Sequence, residues 1–194
     1  MIKYILIITA LVLTHSAHAG EWTGNINAFY GYKHINDSYF ENYETDDHSQ
    51  LALMIDVGRT NWPFHIVVDR TSSHVNEIVT TGFLILGTRV DVETDEFNIG
   101  LRKIWQPSER FRLFIGGGMA TSRVDYALDR TLLTDRQDSD RGTGYWFGSG
   151  LYSTLAGYFN IGLDVRHSSV DVELFDETVD AGGTSVSFMM GYHW

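Results

Sequence analysis

The chain has 194 residues, a formal net charge of −11 and no cysteine, which excludes disulfide bonds and thiol chemistry. The acidic balance argues against nucleic-acid partners, because contacts to phosphates need a basic surface. Ten tyrosines, eleven phenylalanines and five tryptophans beside only two prolines favour a protein built from β-strands, in which aromatic residues are enriched.

The first nineteen residues have the layout of a secretory signal peptide. Lys3 precedes the apolar run YILIITALVL, and the small residues of AHA come directly before Gly20. The apolar run is too short to span a bilayer as a helix. We therefore expect cleavage near Ala19, with residues 1–19 as the signal peptide and residues 20–194 as one folded domain.

Apolar residues recur at every second position in eight stretches of this domain, which predicts eight β-strands. In chain order the stretches are WTGNINAFYGYKH, QLALMIDVG, PFHIVVD, FNIGLRKIW, RFRLFIGGGMA, GYWFGSGLY, YFNIGLDVRHS and GGTSVSFMMGYHW. Tight turns (RTNWP, QPSE and LAG) alternate with long connections (NDSYFENYETDD, the region of HVNEIVTTGFLILG, LDRTLLTDRQDSDRG and LFDETVDAGG). This alternation predicts an antiparallel up-and-down meander with its long loops at one end.

Two barrel architectures fit such a meander. A lipocalin-like soluble barrel places its apolar face inside, whereas a transmembrane barrel turns that face outward to lipid. The second face of the strands is polar and glycine-rich, which suits a narrow transmembrane interior: Asn25, Asn27, Asp56, Asn98, Arg102, Asp164, Arg166, Gly100, Gly116, Gly118, Gly148, Gly150 and Gly162. Aromatic residues mark the turn-side strand ends, as in an interfacial girdle: Trp22, Trp105, Phe111, Phe159 and Trp194. We predict an all-β fold, an eight-stranded antiparallel up-and-down transmembrane β-barrel.

Four of the inward charges, Asp56, Arg102, Asp164 and Arg166, allow two interpretations. They could line a narrow channel for small solutes. Eight strands, however, leave an interior that side chains can fill, and buried charges persist when they are paired. Because both signs are present, we favour a buried ion-pair network.

The signal peptide, the eight strands, RFRLFIGGGMA after the QPSE turn and the terminal SFMMGYHW together resemble the small outer-membrane β-barrels of Gram-negative bacteria, the OmpA-like and opacity-type porin family. The resemblance covers the whole of residues 20–194, mainly as a pattern, and implies location in the cell outer membrane. In that family an alternating aromatic final strand is what the barrel-assembly machinery recognises. The resemblance gives this role to five residues: Val186, Phe188, Met190, Tyr192 and Trp194.

The segment RHSSVDVE offers an enzymatic alternative. It faintly resembles the PagL-type lipid A deacylases, in which a histidine and a serine two residues apart face the lipid, as His167 and Ser169 would. Asp171 or Glu173 could then act as the orienting acid of an ester hydrolase. The Asn-Ala-Gly continuation of that family is absent, and Ala-Gly stands where its acid is expected. We therefore interpret the pair as polar residues at the membrane interface and predict no catalytic site.

Acidic residues are concentrated in two of the predicted loops. NDSYFENYETDD carries Asp37, Glu41, Glu44, Asp46 and Asp47, and DRQDSDRG carries Asp135, Asp138 and Asp140. Oxygen-rich loops can bind calcium, but neither segment has the full EF-hand pattern. IGGGMA lacks the lysine and the helix of a phosphate-binding loop. We expect solvated acidic loops and no cofactor.

These observations lead to one prediction of function. We expect a monomeric, non-enzymatic protein of the cell outer membrane, in contact with outer-membrane lipid, lipopolysaccharide and the barrel-assembly machinery. Its role would be envelope integrity, adhesion or surface interaction through acidic extracellular loops. No motif in these loops identifies a ligand, because loop specificity has no general sequence code.

Overall fold

The computed structural model describes residues 22–35, 47–81, 86–130, 136–175 and 177–194. The predicted signal peptide, residues 1–19, lies outside the described residues, as does most of NDSYFENYETDD. Nine β-strands occupy the described part of the chain: β1 (Trp22–His34), β2 (Asp47–Arg59), β3 (His65–Thr81), β4 (Leu86–Trp105), β5 (Phe111–Arg130), β6 (Arg136–Leu155), β7 (Phe159–Leu174), β8 (Glu177–Asp180) and β9 (Gly183–His193). None of the described residues belongs to a helix that is long and apolar enough to cross a membrane.

The strands form one closed antiparallel barrel. Each strand from β1 to β7 pairs with the next along the chain, and β9 lies between β7 and β1. β8 is not a separate strand of the barrel. It pairs with β7 (Asp171 with Asp180), and β9 continues the same pairing in the same register (Ser168 with Gly183). β8 and β9 are therefore two segments of the eighth strand. The predicted eight-stranded up-and-down barrel is confirmed.

Three of the predicted long connections are wrong. Only residues 82–85 separate β3 from β4, residues 131–135 separate β5 from β6, and residues 175–176 separate β7 from β8. The strands continue past the point where their outward residues stop being apolar. On β4, for example, Asp91, Glu93 and Asp95 occupy the outward positions that Phe97 and Ile99 occupy further along the same strand. The apolar residues of the outward face therefore end before the strands do.

A band of exposed apolar side chains surrounds the part of the barrel nearest the tight turns. We call it the apolar belt; it consists of the large apolar residues that point outward from 22–32, 51–57, 64–68, 97–105, 111–119, 145–155, 159–165 and 186–194. Leu51, Leu101 and Phe147 are typical, with 61%, 53% and 58% of their surface exposed. From Phe97 to Trp105, eight steps of about 3.3 Å at a tilt of about 40° cover roughly 20 Å along the barrel axis. The belt is close to the height of a transmembrane barrel's apolar band.

The interior changes character along the barrel axis. Inside the apolar belt it contains most of the buried charged and amide side chains together with several bulky apolar ones, whereas beyond the belt it is mainly apolar. We call this second region the apolar cap: Ile35, Val75, Val90, Val92, Val124, Tyr126, Val172, Leu174, Val179 and Ala181, all of them buried. The outer face changes in the opposite sense, from apolar to charged. Beyond the belt the barrel wall thus has its apolar side chains inside and its charged side chains outside, as in β-sheets whose outer face is in water.

Candidate functional site

The polar interior near the tight turns is organised around the carboxylate of Asp56. It accepts hydrogen bonds from Asn25 Nδ2, Arg102 Nη1 and His65 Nδ1, each at 2.8 Å. The Arg102 guanidinium lies 3.5 Å from the ring centroid of Phe114, a cation–π geometry. Asp56 and Arg102 are both fully or almost fully buried, so the attraction between them is little screened by solvent.

A second charged cluster lies further along the axis. Arg166 Nη1 contacts Asp69 Oδ1 at 2.7 Å, and its Nε lies 3.9 Å from Asp164 Oδ1. Lys33 Nζ lies 3.3 Å from Glu96 Oε2. The two ion pairs are bridged by Asn98, whose Nδ2 donates to Asp69 Oδ1 at 3.0 Å and to Glu96 Oε1 at 2.8 Å. The cluster therefore crosslinks β1, β3, β4 and β7 through the centre of the barrel.

The four charges singled out from the sequence fall into these two clusters. Asp56 pairs with Arg102, while Asp164 and Arg166 lie together in the other cluster. Sequence analysis missed two carboxylates, Asp69 and Glu96. Asp69 could have been identified from the sequence, because it alternates with the outward-pointing apolar residues of β3 and must therefore point inward.

Bulky side chains fill the space between the clusters. Phe114, Trp146 and Tyr152 point inward and are buried, and the Arg166 guanidinium lies 4.8 Å from the Trp146 ring centroid. Beside Lys33 and Glu96 there is a small cavity, with space for about one water molecule. Beyond it the apolar cap packs across the interior, so the described side chains leave no wide axial passage.

The structure places His167, Ser169 and Asp171 on the outward face of β7, where the apolar belt ends. His167 Nδ1 lies 3.1 Å from Thr184 Oγ1 on the neighbouring strand, and the imidazole packs 5.6 Å from the Phe147 ring. No hydrogen bond among the described residues joins His167 to Ser169 or to Asp171. A serine hydrolase needs its base within hydrogen-bond reach of the nucleophile, and this arrangement does not supply one.

Two acids of the DRQDSDRG segment are engaged in backbone contacts. Asp140 Oδ2 accepts from Glu173 N at 2.7 Å, and Asp138 Oδ2 accepts from Phe175 N at 2.6 Å. The backbone amides of Glu173 and Arg141 hold the pKa of Asp140 below its ordinary value, because they stabilise the charged carboxylate. These side chains continue the β6–β7 pairing beyond its last backbone pair, Gly144 with Val170. Within the described ranges no cluster of three or more acidic or histidine side chains forms a metal site; Asp37, Glu41, Glu44, Asp46 and Asp135 lie outside them.

The final strand closes the barrel against the first. Val186, Phe188, Met190 and Tyr192 all point outward into the apolar belt and are exposed. Trp194 and Gly24 exchange two backbone hydrogen bonds of 3.1 Å, and Thr23 Oγ1 donates to Trp194 O at 2.9 Å. The Trp194 ring lies directly over Gly24, where an added Cβ would come within 2.5 Å of it.

No family model matches this chain, and no curated protein matches it in sequence. Among solved structures, the barrel is similar to Ail, the attachment invasion locus protein of Yersinia pestis, in complex with the heparin analogue sucrose octasulfate (13% identity, TM-score 0.56, 90% of this chain and 99% of that one). It is also similar to the outer membrane protein OprG from Pseudomonas aeruginosa (12%, 0.57, 91% and 96%). A third similar structure is a major outer membrane protein from Thermus thermophilus (8%, 0.54, 89% and 98%). At these identities the likeness establishes the fold.

Proposed function

Because this chain has the fold of the small outer-membrane β-barrels, we propose that it is an integral outer-membrane protein whose role is structural or interactive rather than enzymatic. The candidate roles are envelope integrity, adhesion and contact with an external ligand. Its lipid partners would be outer-membrane lipid and lipopolysaccharide, and it would act as a monomer. Ail, one structural neighbour, is by its name an attachment and invasion protein, which makes adhesion a reasonable candidate here.

One observation carries this proposal: the two faces of the barrel wall exchange their polarity where the apolar belt ends. Within the apolar belt the exposed residues are apolar, as for a surface in contact with lipid. Beyond the belt the outward face carries charged residues such as Glu93, Asp95 and Asp125, and the apolar residues point inward. Such a protein would be held in the membrane while a charged β-sheet wall projects outside. A projecting wall is suited to contact with other molecules.

The proposed location and role can be tested separately. Membrane fractionation, followed by gel migration with and without boiling, tests for a folded barrel in the outer membrane. A deletion strain tests the role through its sensitivity to detergents and its adhesion to surfaces. A soluble periplasmic protein without a migration shift would contradict the location. A deletion strain unchanged in both assays would contradict the role while leaving the location intact.

The packed interior also gives a prediction about conduction. We expect planar-bilayer recordings of the refolded protein to show no large, steady pore, because the ion pairs, Trp146, Tyr152 and the apolar cap occupy the lumen. A general porin measured in the same bilayer serves as the positive control. Steady conductance of porin size would contradict the sealed interior and favour the small-solute channel instead.

We further propose that the final strand is the part of the chain that the barrel-assembly machinery recognises. Trp194→Ser should lower the fraction of protein inserted in cells severalfold. The inserted barrel should lose only about 1–2 kcal/mol of unfolding free energy, as expected for one partly buried aromatic side chain. Trp105→Ser is the control, because Trp105 is another outward-facing tryptophan at the turn end of the apolar belt, although it is more exposed than Trp194. Equal insertion yields for the two variants would leave Trp194 with a packing role only.

A further inference from the structure

Each of the eight barrel strands contributes one side chain to a hydrogen-bonded network inside the barrel, at the end where the tight turns lie. We call it the turn-end network; in strand order its members are Asn25, Asp56, His65, Arg102, Arg112, Thr154, Asn160 and His193. Asp56 is its centre, as described above, and His193 joins it through Nδ1, which lies 3.1 Å from Asn25 Oδ1. The network therefore connects the first strand to the last one across the lumen.

Arg112 reaches the Asp56 carboxylate only through neutral side chains. Arg112 Nη1 donates to Thr154 Oγ1, and this hydroxyl donates to Asn160 Oδ1 at 2.8 Å. Asn160 Nδ2 then donates to Asn25 Oδ1 at 2.8 Å, and Asn25 Nδ2 donates to Asp56. Among the described residues no ion pair joins Arg112 to a carboxylate.

The turn-end network carries one more positive than negative charge. With its two histidines counted as neutral, it contains the guanidinium groups of Arg102 and Arg112 against the single carboxylate of Asp56. The next carboxylate along the axis, that of Asp164, belongs to the second charged cluster. Charges that are withdrawn from water are usually paired, so the surplus charge calls for a counter-ion.

Two other acceptors lie at this end of the barrel, and neither is paired with Arg112. Glu109 is exposed in the turn between β4 and β5, where water and salt screen its charge. The main-chain oxygen of Trp194 accepts hydrogen bonds from Gly24 N and Thr23 Oγ1. It is therefore engaged on the β1 side of the opening.

The buried polar groups without a partner in this part of the lumen include several N–H donors. Arg102 Nε, Arg102 Nη2 and Asn27 Nδ2 are buried and have no acceptor among the described residues. In the second charged cluster, by contrast, such groups include the oxygen atoms Asp69 Oδ2 and Asn98 Oδ1. Buried polar groups are nearly always hydrogen-bonded. A surplus of donors together with a surplus of positive charge suits an anion.

The turn-end network is open to solvent on one side. Arg112, His65 and His193 are partly exposed, whereas Arg102 is buried. Both guanidinium groups lie 5.9 Å from the ring centroid of Tyr152. An anion that enters from the turns would meet Arg112 first and would be attracted by the deeper Arg102 as well.

We propose that the turn-end network binds one small monovalent anion, such as chloride, at the guanidinium of Arg112. One negative charge balances the surplus, and the anion must be small because Phe114 and Tyr152 fill the lumen just inside. Arg112 uses Nη1 for Thr154, and the other N–H groups of a guanidinium can donate to an anion. The bound anion would hold Arg112 in place and so consolidate the network that joins the first and last strands.

The test measures chloride binding to the folded protein. Purified protein in nonionic micelles is titrated with chloride in a buffer whose other anion is gluconate, and the excess line width of the chloride NMR signal reports bound ion. We expect excess broadening for the unchanged protein. Arg112→Gln should lower the apparent chloride affinity about tenfold. Asp56→Asn, which raises the surplus to two positive charges, should increase it.

Arg110→Gln is the matched control, because it removes an exposed arginine at the same end of the barrel that lies outside the turn-end network. Its chloride affinity should stay within about twofold of the unchanged protein. The gel shift on boiling confirms that each variant is folded.

Two outcomes would overturn the inference. No excess broadening from the unchanged protein would show that water satisfies the donors of the network. Equal losses of affinity for Arg112→Gln and Arg110→Gln would show that chloride responds only to the overall positive charge at this end. Because binding is measured in micelles, neither outcome bears on the proposed location of the protein.

Discussion

Replacing Arg102 with methionine should lower the free energy of unfolding by about 3–5 kcal/mol, the usual cost of leaving a buried charge without its partner. Asp56 would keep its hydrogen bonds from Asn25 and His65 but lose the guanidinium that neutralises it. Methionine preserves most of the volume over the Phe114 ring, so the loss reports mainly on charge. Denaturant unfolding of the protein refolded in lipid vesicles measures it.

Two variants separate the charge effect from other causes. The double variant Asp56→Asn/Arg102→Met removes both charges and should recover a large part of the lost stability, because no uncompensated carboxylate remains. Lys103→Met removes a neighbouring charge that points outward near the Phe64 ring and should cost less than about 1 kcal/mol. If Arg102→Met alone lowered the free energy of unfolding by less than about 1 kcal/mol, burial of the Asp56 carboxylate would not depend on its ion pair with Arg102.

Substituting alanine for Gly118 should destabilise the barrel by about 4 kcal/mol or more, which is at the upper end for single substitutions. An added Cβ would lie 2.1 Å from Ile99 O and 2.5 Å from the Cα of Gly100 on the paired strand. Because these are backbone atoms, relief requires β4 and β5 to separate locally and weakens their hydrogen bonds. The same unfolding experiment in vesicles measures the effect.

Gly148 provides the matched control for Gly118. It also lies on the inner face of a barrel strand, but an added Cβ would be 3.3 Å from Val165 O, and the next nearest atoms, two side-chain carbons of Arg166, would be at 3.5 and 3.6 Å, which are ordinary van der Waals distances. Gly148→Ala should therefore cost about 1 kcal/mol or less. Similar losses of unfolding free energy for the two variants would show that the role of Gly118 is not to allow the close approach of β4 and β5.

The sequence by itself determined the number of strands, the apolar face that each strand turns outward, and the positions of the tight turns. These properties are local: alternation along a strand depends on neighbouring residues, and a turn depends on a few residues with suitable backbone preferences. Trp62 N donates to Arg59 O at 2.9 Å and Tyr158 N to Leu155 O at 3.2 Å, in the turns predicted from RTNWP and LAG. The outward residues of the last strand could be named for the same reason.

Only the tertiary structure decided which charges meet. Arg166 lies closer to Asp69, on β3, than to Asp164, two residues away on its own strand. Closure of the barrel brings β3 and β7 to face each other across the lumen, and alternation along either strand contains no information about the partner. The site at Asp56 has the same origin, because Asn25, His65 and Arg102 come from three different strands.

The tertiary structure also decided where the strands end and how the interior is divided. Val90 and Val92 point inward beyond the apolar belt, and Glu93 and Asp95 point outward. The inward-pointing residues of β4 are thus apolar in the half beyond the belt and polar in the half inside it, and the outward-pointing residues show the reverse. A strand in lipid and a strand in water bury opposite faces. The alternation of apolar residues in the sequence located the half of the barrel inside the apolar belt. The half beyond the belt could be recognised only from the strand pairing, which continues into it without a break in register.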